Sequence, residues 1–235
     1  MLKRAILLTC LSVSLIACAA THKSSALPWR YGTGSNIDIT NNTKTEFFRD
    51  GKIIYADSYA GGGAGGLLSE RISERRYYWA GGGGLPTDGV PVPDKALIEM
   101  VSLYDHKRYR ITVDLPADLE VQMRQSYRLQ DRTDRRNLLY FGLAPGGYYE
   151  VILTGVTSGI SPDLLIARGT ASEVTDDWRD KKIPISKQYD ATLADFEHKY
   201  GQLFKTYPVP TGMEWAPIMD AYRAKQPKTD QHPIN

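Results

Sequence analysis

The chain has 235 residues, 29 basic and 27 acidic, with 42% hydrophobic residues and two cysteines. This length suits one domain with its own core, and the near-neutral charge removes any bulk electrostatic pull toward nucleic acid or an anionic bilayer. Fifteen tyrosines suit a sheet-rich fold, and the lack of any cysteine after Cys18 excludes a disulfide framework or a cysteine metal centre from there on.

Lys3 and Arg4 open an apolar run from Ala5 to Ile16, followed by Ala17 and Cys18. The run is too short to span a hydrocarbon core of roughly 30 Å, so the pattern predicts an export leader over 1–17 rather than a spanning helix. Leu15-Ile16-Ala17-Cys18 resembles the lipobox of bacterial lipoproteins. That likeness implies lipidation of Cys18, an anchor in a membrane face by several acyl chains, and, with Ala19 following, residence at the outer membrane facing the periplasm. An ordinary secretory cut near Ala20 is the alternative. Loss of Lys3 and Arg4 with the leader leaves 27 basic and 27 acidic residues.

Residues 18–29 read as the lipidated N-terminus and a polar tether, 30–222 as one β-rich domain, and 223–235 as a polar, proline-bearing tail. Strands are expected over Asn36–Thr40 and Thr45–Phe48, then past the hairpin signal Arg49-Asp50-Gly51-Lys52 over Ile53–Tyr55. Ala96–Leu103 and Tyr109–Leu115 read as strands, the second with strict period-2 alternation. Pro116 opens a helix to about Tyr127, with Leu119, Met123 and Tyr127 on one face. Asp131–Arg136 reads as a charged loop. Leu138–Leu143 and Tyr148–Leu153 are strands joined by Ala144-Pro145-Gly146-Gly147, and Leu164–Gly169 is another. Asp190 caps a helix that Gly201 would stop. The sum is a mainly β (α+β) single domain, an antiparallel sandwich with two or three short helices.

Catalytic signatures are sparse. Gly61-Gly62-Gly63-Ala64-Gly65-Gly66 lacks the Lys-Ser/Thr that would reach a nucleotide's phosphates, and Gly81–Gly84 shares that lack. His22, His106, His198 and His232 show no zinc-helix spacing. Asp105 beside His106 is the nearest acid–base pair, and Gly159-Ile160-Ser161-Pro162-Asp163 only approaches a nucleophile elbow. These features predict no catalytic residue, no metal and no cofactor. Arg75-Arg76-Tyr77-Tyr78-Trp79 mixes guanidinium and aromatic groups of the kind enriched at binding hot spots, although a strand with one buried face is the plainer reading. In Tyr148-Tyr149 at most one ring faces the core. The candidate partner contacts are therefore Arg75, Arg76, Trp79, Tyr148 and Tyr149.

Three stretches together resemble the bacterial lipoproteins grouped as domain of unknown function 2931. They are Gly61–Gly84; Ser102-Leu103-Tyr104 with Tyr109-Arg110-Ile111 and Leu115-Pro116; and Gly142-Leu143-Ala144-Pro145-Gly146-Gly147. Tyr200-Gly201 fits as well. Val101 and Ile152 stand where that family often has tryptophan, which implies a repacked core or an altered surface pocket. The resemblance implies an envelope lipoprotein without assigned catalytic residues. Lipoproteins of this size often serve as immunity proteins against type VI secretion phospholipases, so the leading expectation is a non-enzymatic binding protein that neutralises such a lipase effector. A structural or assembly lipoprotein is the alternative, and a hydrolase with a dispersed site the third.

Overall fold

Two apolar faces run along the central strand pair. Leu139, Phe141, Leu143, Val151 and Leu153 are buried on one side, and Tyr140, Tyr148 and Ile152 on the other, because strand side chains alternate between faces. A sheet that is apolar on both faces needs two covers. The computed structural model describes residues 27–37, 40–58, 69–80, 85–129, 132–155, 163–175, 183–227 and 234, and it contains both.

The strands are β1 (Arg30–Gly34), β2 (Thr40–Arg49), β3 (Lys52–Asp57), β4 (Leu85–Pro86), β5 (Lys95–Ser102), β6 (Lys107–Asp114), β7 (Ser126–Leu129), β8 (Arg132–Arg135), β9 (Leu138–Ala144), β10 (Tyr148–Thr154), β11 (Leu164–Thr170) and β12 (Ser172–Glu173). The α-helices are α1 (Ser69–Ser73), α2 (Leu119–Arg124), α3 (Ile185–Gln188), α4 (Asp190–Thr206) and α5 (Trp215–Ala224). One sheet has the order β11-β10-β9-β1-β4, the second β12-β6-β5-β2-β3, and β7 with β8 forms a separate hairpin. Pairing is antiparallel except between β1 and β9, where Arg30 to Gly34 run parallel to Leu138 to Gly142.

The sheets enclose the first core. Phe47 of β2 lies 5.0 Å from Trp29, 5.1 Å from Tyr31 and 6.0 Å from Phe141 across the sandwich. Leu119 and Met123 of α2 join this core. The helices make the second cover: Ile72 of α1, Leu193, Phe196 and Phe204 of α4, and Trp215 and Met219 of α5 pack with Tyr140, Tyr148 and Ile152. The mainly β α+β domain is thus a sandwich with a helical layer on one sheet. Val101 and Ile152 both belong to the helix-facing core.

Backbone turns follow their residues. Asp50 and Gly51 both have positive φ, 53° and 71°, which matches a two-residue hairpin turn to the twist of β2 and β3. Gly146 and Gly147 sit at φ 76° and 74° between β9 and β10. A Cβ on Gly146 would run into the backbone of Thr211 and Gly212. The Gly146 N–H donates to Asp105 Oδ2 at 2.9 Å, and Asp105 also meets Ser102 Oγ at 3.2 Å. This carboxylate therefore ties the two sheets' turns together.

Several boundaries differ from the sequence expectation. Leu27 and Trp29, expected in the tether, are buried in the first core. The first strand is Arg30–Gly34; Asn36 and Ile37, expected in a strand, lie in a bend, and the segment expected at Thr45–Phe48 belongs to the ten-residue β2, which begins at Thr40. The helix after Pro116 ends at Arg124, and Ser126–Leu129 pairs antiparallel with Arg132–Arg135, a segment expected as loop, to give β7 and β8. Gly201 does not stop α4, which continues to Thr206. A glycine inside a helix costs about 1 kcal/mol, and the extra turn offsets this by seating Phe204 4.7 Å from Tyr104 and 5.9 Å from Phe196. Arg223, expected to begin a frayed tail, lies in α5 and is tied to β10, while the Ile234 N–H donates to the Ser126 carbonyl at 2.9 Å. Cys18, His22, His232, the Gly61–Gly66 and Gly81–Gly84 runs and residues 159–162 lie outside the described residues.

Candidate functional site

Helix α1 ends in a left-handed residue that is not glycine. The Arg75 N–H donates to the Ile72 carbonyl and the Arg76 N–H to the Arg71 carbonyl, and Arg75 takes φ 54°. That bond pair is a Schellman stop, in which glycine usually holds the left-handed position. The chain then extends through Arg76, Tyr77, Tyr78 and Trp79 to a bridge between Ala80 and Ser35. Tyr77 turns inward and meets Trp215 edge to face at 4.9 Å. Tyr78 stays at the surface and stacks with Tyr222 of α5 at 6.3 Å.

Between this segment and α5 lies an open groove of about 490 Å³. Tyr77, Tyr78, Pro217, Ile218, Ala221 and Tyr222 make its aromatic and apolar surface, and Arg75, Arg76 and Lys225 supply three cations. Among the described residues, no acidic side chain lines it. Arg76 pairs with Glu74 at 2.6 Å, with both side chains largely exposed, so that pair is worth little.

Helix α5 is held by a buried ionic cluster. Glu150 of β10 is 0% exposed. Its carboxylate accepts from Trp79 Nε1 at 2.7 Å, from the Tyr148 hydroxyl at 2.5 Å, and from both Nη atoms of Arg223, one of them at 2.8 Å. Asp220 then receives Arg223 at 2.7 Å and Arg168 of β11 at 2.5 and 2.9 Å. Burial opposes the charge of Arg223, but Glu150 and Asp220 outweigh it and hold the guanidinium above the ordinary arginine range. Hydrogen bonds from Arg168 and Arg223 keep the Asp220 carboxyl well below the usual carboxylate range. Burial, then Glu150, pushes the Tyr148 phenol up, so it remains a donor. One turn on, Gln226 Nε2 donates to Asp163 Oδ2 at 2.8 Å, and Gln226 Oε1 accepts from the Asp163 N–H at 2.9 Å.

The expected contact residues therefore separate. Arg75 and Arg76 are exposed at the groove. Trp79 is 3% exposed and Tyr148 0%. A covered ring presents no area to a partner, so both leave the contact set and act instead as ligands of Glu150. Tyr149 is half-buried against the inter-sheet core, away from the groove lining. Asp105 Oδ2 accepts from Ser102 Oγ and from the Gly146 N–H, a structural role between the two turns.

Sequence reasoning missed the other wall of the groove. Its signal is present: Thr211-Gly212-Met213-Glu214 has capping-box spacing, and both reciprocal bonds form. Trp215, Met219 and Tyr222 follow at i, i+4 and i+7, the stripe of a core-facing helix. Nothing local marks Glu150 as a buried anion. Among the described residues, no three His, Cys, Asp or Glu side chains group to hold a metal, and no helix is long and apolar enough to cross a membrane.

A family model described as a protein of unknown function, DUF2931, matches residues 15–212. The chain belongs to the DUF2931 family. The match includes Arg75, Trp79, Tyr148 and Glu150, whereas α5 with Tyr222 and Arg223 follows its end. No curated protein and no solved structure matches the chain significantly.

Proposed function

We propose that this DUF2931 protein is a non-enzymatic binding module that meets a protein partner at the groove between Arg75–Tyr78 and α5. The observation that carries this reading is the composition of the groove: tyrosines and arginines around an apolar floor, with no acid among the described lining residues. Such residues dominate the energetics of protein interfaces, because rigid rings cover much area at low entropy cost. The buried Glu150–Arg223 tie fixes one wall in place, and a preformed surface binds with less ordering cost.

In the cell we place the protein at the outer membrane, anchored through Cys18 and facing the periplasm. This placement rests on the leader-like run before Cys18. Its most concrete role is immunity: neutralising a phospholipase effector of type VI secretion that arrives from the periplasmic side. That step rests on analogy with lipoproteins of similar size and location. The test uses the chain from Ala19 onward as bait in lysate from the source bacterium with secretion genes induced. Stoichiometric recovery of one lipase, with hydrolysis suppressed on adding the bait, supports immunity. Recovery of envelope components alone overturns it in favour of a structural lipoprotein.

A further inference from the structure

Beneath the groove lies a cation without an anion. Arg71 of α1 is 5% exposed. Its Cζ stands 3.6 Å from the centre of the Tyr78 ring, its Nη2 donates to the Tyr78 carbonyl at 2.6 Å, and its Nε has no hydrogen-bond partner. No carboxylate pairs with it among the described residues. The charged and titratable groups that face it are Tyr78, Tyr140, Tyr222 and Arg76. A guanidinium does not shed its proton, and a buried charge without a counter-ion is costly. A partner that brings an anion would relieve that cost.

The groove lies one ring away. Tyr78 and Tyr222 line it, and Arg75, Arg76 and Lys225 surround it. Of these three, only Arg76 has an acid among the described residues, the exposed Glu74. Four cations thus bear on a surface that no acid among the described residues lines. Resting on the binding role above, we propose that the groove takes an acidic protein segment. A carboxylate of the partner enters the field of Arg71, Arg75, Arg76 and Lys225, while an adjacent aromatic or apolar side chain lies on Tyr77, Tyr78, Ile218 and Tyr222. A phosphate or lipid headgroup would answer the cations but leave the tyrosine surface uncovered.

The test uses the isotope-labelled chain from Ala19 onward, which contains every described residue, and two blocked tetrapeptides. One is Trp-Glu-Asp-Phe and the other its amide twin Trp-Gln-Asn-Phe. The acidic peptide is expected to move the side-chain Nε–H signals of Arg71, Arg75 and Arg76, with the twin at least about tenfold weaker, since tenfold corresponds to about 1.4 kcal/mol. Arg71→Met should weaken the acidic peptide about tenfold and leave the twin unchanged. If that variant does not fold, the rim pair Arg75→Gly with Lys225→Ala carries the same expectation. Equal binding of the two peptides overturns the proposal, as does unchanged binding by the rim variant. Tighter binding of phosphatidylglycerol vesicles or inorganic phosphate at the same signals overturns it in favour of a phosphate ligand. A captured partner with no preference for the acidic peptide removes the acidic-segment chemistry alone, whereas peptide binding without a captured lipase removes immunity alone.

Discussion

Both Nη atoms of Arg223, in the last turn of α5, donate to the fully buried carboxylate of Glu150 in β10, 73 residues earlier. This pair joins a helix end to the middle of a sheet. Removing one partner leaves the other charged and buried, which typically costs about 3–5 kcal/mol. Arg223→Ala should therefore lower stability by about that much in urea unfolding. The double variant Glu150→Leu with Arg223→Met should lose less than Arg223→Ala alone, because no buried charge is stranded. A double variant at least as unstable as the single would contradict this reading.

Gly142 makes the Trp79 position possible. A Cβ there would overlap the six-membered part of the Trp79 indole, and Trp79 is a donor to Glu150. Gly142→Ala should cost about 1–3 kcal/mol through overpacking and red-shift tryptophan fluorescence as the ring is displaced. A folded variant with unchanged stability and spectrum would contradict it.

Arg75 holds a left-handed backbone conformation, which costs a residue with a Cβ roughly 1–2 kcal/mol relative to glycine. Arg75→Gly should thus raise stability by about 1 kcal/mol while weakening partner binding. This opposition separates a functional arginine from a structural one. Loss of stability without loss of binding would reverse the assignment.

Burial raises the Asp163 carboxyl above its ordinary range, with the Gln226 hydrogen bond opposing. The native state then keeps this proton to higher pH than the unfolded chain does. The contribution of the protonated group is complete below about pH 4 and is lost as pH rises through the raised native value. Asp163→Asn should consequently match the wild type most closely near pH 3.5, gain relative stability just above pH 4, and level off toward neutrality. Melting temperatures of both proteins between pH 3.5 and 8 check this. A constant or shrinking gain would contradict it.

The strands were legible where alternation and turn chemistry agreed. Tyr109 to Leu115, the Asp50-Gly51 hairpin and the Gly146-Gly147 turn carry their geometry in adjacent residues. The end of α4 was not legible at Gly201, because distant packing of Phe204 overrides the local preference for a stop. The candidate site was half legible. Arg75 and Arg76 stand out as a charged-aromatic run, but that run does not reveal that Trp79 turns inward to a glutamate 71 residues away. Arg71 and Glu150 look like ordinary surface charges until the fold buries them. Helix α5 was missed although its capping box and apolar stripe are present, because the polar, proline-bearing C-terminus beside it obscures them.

The groove as partner-binding surface is tested most directly by site-specific photocrosslinking. Ala221 is exposed on the groove, and Val121 of α2 is exposed and belongs to a helix packed on the inter-sheet core. Each is replaced by p-benzoylphenylalanine in the full-length chain, and cells are irradiated with secretion induced. The expected result is one adduct, a lipase, from the Ala221 position and none from Val121. Adducts from both positions alike, or from Val121 alone, would contradict the groove as the binding surface.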